Sequence, residues 1–206
     1  MNTPTPRQKQ ELYDRYARQY QQRTQGYEKF LAADYRAFQD ALSGPKILDL
    51  GCGPGRDALA LKERGLDPLC LDLSVEMLRI CAEKGLETIR QNIEMLALPE
   101  AGFDGVWSYT SLTTIPKDKV WKVLNQDLPQ ALKADGILFL GLIEGQGENW
   151  KPADQKYDLP RYISRWSRKE VLAGLAPTWE LLRYSEVSSS VSGRNTYLHF
   201  LLRNHR

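Results

Sequence analysis

The chain has 206 residues, a formal charge of +2, 42% hydrophobic and 26% charged residues, the size and balance of one ordinary globular unit. So even a charge gives no overall field to draw in nucleic acid or a membrane surface, and no apolar run reaches the roughly 18 residues of a spanning helix. The opening Met1-Asn2-Thr3-Pro4 lacks the apolar core of a signal peptide. The scattered cysteines Cys52, Cys70 and Cys81 match neither a zinc spacing nor a disulfide framework, so a reducing, cytoplasmic setting without a metal is expected.

Residues 7–42 read as helical, with Leu12, Tyr16, Tyr20, Tyr27, Leu31 and Phe38 recurring at spacings near three and four. Lys46 to Leu50 is a short apolar run closed by glycines and reads as a buried strand. Asp57 to Arg64 follows as a helix stopped by Gly65. Pro68 to Leu71 is the second strand; Ser74 then caps a helix that ends at Lys84 before Gly85. Glu87–Arg90 and Gly105–Ser108 are the third and fourth strands. Lys117 to Lys133 reads as a helix that Pro129 kinks or divides, and Gly136–Leu142 is the fifth strand. Trp179–Val187 and Thr196–Arg203 flank the turn-rich Ser188–Gly193 and form an antiparallel hairpin. No repeat or linker divides the chain, so one domain over 1–206 is expected. Its class is α/β: a three-layer αβα sandwich around a mostly parallel sheet, closed by the C-terminal hairpin.

The chemistry starts at Asp49-Leu50-Gly51-Cys52-Gly53-Pro54-Gly55, where a strand gives way to a helix. Glycine lets the backbone bend sharply and approach a ligand, and such turns lie at the ligand-binding ends of parallel strands. Arg56 stands where the dinucleotide fingerprint has its third glycine, and no Gly-Lys-Ser/Thr follows, so neither that fingerprint nor a phosphate loop is present. Asp49 would repel a pyrophosphate and attract an ammonium group. Asp72, ending the second strand, is suited to accept both hydroxyls of a ribose. Asn92 and the backbone N–H of Ile93, after the third strand, are suited to the polar edge of adenine.

In this order the motifs resemble the class I S-adenosylmethionine-dependent methyltransferases. The resemblance covers roughly residues 13–203. It rests on Leu48–Gly55, Leu71–Leu78, Asn92–Pro99, Phe103–Trp107 and Leu132–Leu138. It implies a seven-stranded sheet and S-adenosyl-L-methionine as cofactor. It further implies that Asp49, Gly51, Cys52 and Gly53 line the methionine moiety, with Ser108 beneath it and Tyr20 reaching its carboxylate. Asp72 would hold the ribose, Leu73 and Met77 would pack the adenine, and Asn92 and Ile93 would bond its edge. Residues 1–42 would cover the cofactor, and 144–166 would form a lid over the acceptor.

A sulfonium methyl donor needs alignment more than a dedicated catalytic group. Many small-molecule relatives carry histidines where Thr113 and Thr114 stand, so no obvious general base is present. Tyr109, Glu144 and His199 are the substitutes, and Tyr109, Thr113, Thr114 and Trp150 are candidates to contact the acceptor. The expected activity is methyl transfer to O or N of a small molecule by a monomer or homodimer. The alternatives are an RNA or DNA methyltransferase, for which Arg161, Arg165, Arg168 and Lys169 form a basic cluster around Trp166, and a cofactor-binding protein without catalysis. The loop Ser108–Ser111 lacks the Pro-Pro-aromatic signature of base-amino enzymes.

Overall fold

The computed structural model describes residues 5–153, 157–189 and 195–206. Met1–Pro4 and most of the turn-rich stretch, 190–194, lie outside the described residues, as do 154–156 of the expected lid. The N-terminal helical segment is two helices, α1 (Pro6–Arg23) and α2 (Ala32–Ala41), separated by a turn of 3₁₀ helix at Tyr27–Lys29. Gly26, at φ 85°, makes the break: that left-handed conformation interrupts a helix and is open to glycine without a Cβ clash. Thr5 starts α1 with a capping box shared with Gln8.

Five strands form the parallel part of the sheet: β1 (Lys46–Leu50), β2 (Asp67–Asp72), β3 (Glu87–Arg90), β4 (Phe103–Tyr109) and β5 (Leu132–Ile143). They alternate with α3 (Arg56–Lys62), α4 (Val75–Glu83), α5 (Lys117–Lys122) and α6 (Leu128–Ala131). Glu148–Lys151 and Arg161–Ser164 pair antiparallel as β6 and β7, a separate two-stranded sheet inside the region read as a lid. The helix α7 (Arg168–Gly174) leads to β8 (Trp179–Ser189) and β9 (Asn195–Asn204). The main sheet has seven strands in the order β3-β2-β1-β4-β5-β9-β8. β9 runs antiparallel to both β5 and β8, so the expected hairpin supplies one reversed strand between two of the common direction.

Alternation along each strand feeds a core on either face. Leu48, Leu50, Val106, Leu138 and Leu140 belong to one apolar cluster with Val120, Leu124 and Trp166. Ile47, Trp107, Ile137 and Phe139 belong to the other with Tyr35, Phe38 and Leu61 of α2 and α3. The helix read as ending at Lys133 ends at Ala131, and β5 starts at Leu132. Before Pro129 the helix widens: Val123–Asp127 is π-helical, and the Leu128 N–H donates to the Val123 carbonyl. Proline has no N–H for the carbonyl four residues back, and the wider turn re-pairs the neighbouring groups.

Candidate functional site

The strand order reverses between β1 and β4, and the loops at their carboxyl ends open a crevice there. A cavity of about 710 Å³, its mouth included, fills that crevice. Its walls include Tyr20 of α1, Gly51 and Gly53, Asp72, Leu73 and Met77, and Asn92 and Ile93. Residues distant in sequence thus converge because parallel strands deliver their carboxyl ends to one edge. The loop is pinned to β2 by its backbone: the N–H groups of Gly51 and Cys52 both donate to the Leu71 carbonyl, at 2.8 and 3.0 Å. Gly51 (φ 72°), Gly53 (φ 53°) and Gly55 (φ 71°) are all left-handed. At Gly51 a Cβ would also stand 2.2 Å from the Ser111 Cβ.

Asp72 accepts the Gly53 N–H and the Ser74 N–H, each at 2.9 Å and each on a different oxygen. Each carboxylate oxygen can accept more than one hydrogen bond, so capacity remains toward the cavity. Burial raises the Asp72 pKa to about 6, opposed by those same N–H donors. Asn92 uses Oδ1 to accept the Glu94 N–H, which leaves its NH₂ group for another partner. Lys9, the cation in the cavity wall, is paired with Glu94. A carboxylate, an amide and a neutralised lysine suit an uncharged sugar and a base edge better than a phosphate.

Several expected residues stand elsewhere. Asp49 is 2% exposed and absent from the cavity wall. It shares the sheet face of Ile47, and the Ala58 N–H bonds its carboxylate. Gly55, the N-cap of α3, has no side chain to cap the helix, and Asp49 supplies that acceptor from below. Its Oδ2 has no hydrogen-bond partner among the described residues, and burial, with Asp57 nearby, pushes its pKa well up. Cys52 is turned away from the cavity and packs with Cys70 and Cys81. Ser108 is fully buried and bonds Ser111, which is the serine that lines the cavity. Thr113 is buried with its hydroxyl on the Thr110 carbonyl, whereas Thr114 reaches the cavity.

The substitutes for a base separate in the same way. Tyr109 lines the cavity, and burial raises its pKa. His199 is 2% exposed, and its Nδ1 lies 2.9 Å from Asp34 of α2. Its ring stands edge-on behind Tyr109 at 5.4 Å, outside the cavity lining. Glu144 is exposed just past β5, outside the cavity lining, and its N–H donates to the Thr196 carbonyl. Trp150 lines a smaller neighbouring cavity together with Lys9, Thr114 and Arg161.

A second cavity, about 830 Å³ with its mouth, adjoins the first and shares Tyr20, Tyr109 and Thr110 with it. Arg23, Tyr27, Arg56 and Tyr157 complete its character. The Arg56 guanidinium is bound to Asp57 at 2.6 and 2.8 Å and lies over the Tyr27 and Tyr109 rings. Sequence reasoning missed Arg56, Ser111 and Tyr13. Tyr13 had a usable signal, since it lies seven residues before Tyr20 and therefore on the same helix face.

Residues 47–136 match the family model for the methyltransferase domain. The chain is 28% identical over 137 residues to the malonyl-[acyl-carrier protein] O-methyltransferase of Enterobacter lignolyticus, covering 63% of this chain and 53% of that protein. It is 32% identical over 118 residues to the ubiquinone biosynthesis O-methyltransferase of Idiomarina loihiensis, covering 54% and 47%. The chain thus spans about half the length of the curated relatives it matches. Its fold is that of the Burkholderia thailandensis 1,6-didemethyltoxoflavin-N1-methyltransferase, solved with 1,6-didemethyltoxoflavin and S-adenosylhomocysteine, at a TM-score of 0.74 and 19% identity over 100% of this chain and 93% of that one. A Methanosarcina mazei methyltransferase structure superposes at a TM-score of 0.70 with 18% identity, covering 81% and 95%. The fold and the match over residues 47–136 make the chain similar to the S-adenosylmethionine-dependent methyltransferases.

Proposed function

We propose that the chain transfers the methyl group of S-adenosylmethionine, by in-line displacement, to an oxygen or nitrogen of a small-molecule acceptor. The observation that carries this reading is the adjacency of the two cavities, which share Tyr20, Tyr109 and Thr110 in their walls. One cavity carries the groups suited to the cofactor, and the other stands open beside its methionine end. Asp72 holds the ribose. Leu73, Met77, Asn92 and Ile93 receive the adenine. Gly51, Gly53, Ser111 and Tyr20 enclose the methionine portion, and Asp49 acts from beneath by fixing the loop. The cofactor brings an activated methyl on a sulfonium, so the protein's task is alignment and exclusion of water.

Among the described residues, the second cavity is walled by tyrosines, threonines, Arg23, Arg56 and Asn195, with no histidine or carboxylate in its lining. The acceptor therefore arrives with its lone pair available rather than losing a proton to the protein. Helix α1 covers the site: Asp14 accepts the Ser74 hydroxyl at 2.6 Å and the Glu76 N–H at 3.1 Å, docking α1 on the start of α4. Tyr157, between β6 and β7, walls the acceptor cavity, and the whole chain acts as one domain.

The small-molecule reading is favoured over nucleic acid by the fate of the basic cluster. Arg161 lies over Tyr157, Arg168 lies over Tyr184, and Arg165 donates to the Glu144 carbonyl. These are contacts within the fold rather than a continuous cationic face. The test is a radiolabelled-methyl transfer screen across metabolite pools, peptides and RNA, preceded by calorimetry with S-adenosylmethionine. Label in the small-molecule fraction supports the reading. Label confined to RNA or peptide, or no cofactor binding at millimolar concentration, overturns it.

A further inference from the structure

The three cysteines, far apart in sequence, meet in space. Cys52 follows β1, Cys70 lies in β2, and Cys81 lies in α4; all three are buried. Their sulfurs lie within 4.8 Å of one another, and the Cys52 and Cys81 sulfurs are 3.8 Å apart. Both also approach the Gly53 carbonyl oxygen, at 3.4 and 3.2 Å. That carbonyl belongs to the loop whose other side lines the cofactor cavity.

We propose that Cys52, Cys70 and Cys81 form a site for a thiophilic monovalent metal ion of the copper(I) class, seated directly beneath the cofactor loop. A metal–thiolate bond of about 2.3 Å places three sulfurs about 4 Å apart when the ion lies in their plane. The observed sulfurs need only small movements to reach that arrangement. Thiolates select copper(I), zinc and iron–sulfur centres among biological metals. Among the described residues no histidine, aspartate or glutamate atom joins the three sulfurs. Structural zinc sites take four such ligands, so three sulfurs favour a soft ion content with three.

Both signs of charge stand near the sulfurs, with Asp49 and Asp72 on the strand side and Lys84 on the helix side. Lys84 bonds the Pro54 carbonyl at 2.5 Å and brings a positive charge to the same loop. Binding breaks the sulfur–proton bonds, releases those protons to solvent and forms three sulfur–metal bonds, with no change in the oxidation state of metal or sulfur. The bound ion joins the loop, β2 and α4 at one point.

The test uses the full chain, fully reduced and handled without oxygen. It is titrated into the coloured copper(I) complex of bicinchoninate. One equivalent of copper should be withdrawn, an ultraviolet thiolate-to-copper band should appear, and three thiols should lose reactivity toward Ellman's reagent. Cys70→Ala should weaken copper binding at least 100-fold. Failure of the wild-type chain to withdraw copper overturns the proposal without recourse to any variant. So does undiminished copper binding by Cys70→Ala, or loss of thiols to a Cys52–Cys81 disulfide in place of copper uptake.

Discussion

The Asp72 carboxylate accepts the backbone N–H of Gly53 at 2.9 Å. A single side chain thereby ties the end of β2 to the glycine loop after β1, and it does so while facing the cavity. Asp72 shapes the loop and keeps acceptor capacity toward the cavity that the loop walls.

Replacing Asp72 with alanine removes both functions. The Gly53 and Ser74 N–H groups lose their acceptor, and the ribose hydroxyls lose theirs. A hydrogen bond to a charged group contributes about 1.5–3 kcal/mol, so the loss of one such bond should lower cofactor affinity by about 10- to 100-fold. Calorimetry at pH 8 measures this, and unchanged affinity would remove Asp72 from the cofactor site.

The same residue sets a pH dependence. Its folded-state pKa of about 6 stands above the ordinary 3.8. The protonated form therefore stabilises the fold fully below pH 3.8, and that contribution is lost as pH rises through about 6. Cofactor affinity should run the opposite way, rising through the same midpoint as the carboxylate ionises. Calorimetric titrations from pH 5 to 8 should show this for the wild type and a flat profile for Asp72→Asn. A wild-type profile without a rise near pH 6 would contradict the assignment.

Two glycines with similar backbones should respond differently. Gly26 has φ 85° and open space around a Cβ, whereas Gly51 has φ 72° and the Ser111 Cβ at 2.2 Å. Gly26→Ala should cost about 1–2 kcal/mol of stability and leave cofactor affinity intact. Gly51→Ala should cost more and displace Ser111 from the cavity wall, with loss of cofactor binding. Thermal unfolding and calorimetry on both variants make the comparison.

His199 should prove structural. Asp34→Ala would leave the buried His199 Nδ1 without its partner, beside an Nε2 that has none among the described residues. A buried polar group left unpaired costs about 1–3 kcal/mol. Urea unfolding should show that loss, while the turnover number of the folded variant stays near the wild-type value. A large fall in turnover with unchanged stability would restore His199 as a candidate for catalysis.

The order of strands and helices, the glycine loop and the acid that ends β2 were readable from sequence because each is local. Apolar runs, glycine stops and a serine cap follow from neighbouring residues alone, and their alternation limits the fold to a parallel sheet. The same local signals separated this loop from the phosphate-binding motifs, since Arg56 follows the glycines and Asp49 precedes them.

Only the tertiary structure decided which way the side chains face. Asp49 and Cys52 belong to the loop by sequence, yet both are committed beneath it, one to the start of α3 and the other to Cys70 and Cys81. Ser108 and Ser111 are three residues apart, and the turn after β4 gives the cavity to the second. His199 found its partner 165 positions away, in α2. Such choices depend on contacts between segments remote in the chain, where burial and hydrogen-bond pairing outweigh what any local spacing specifies.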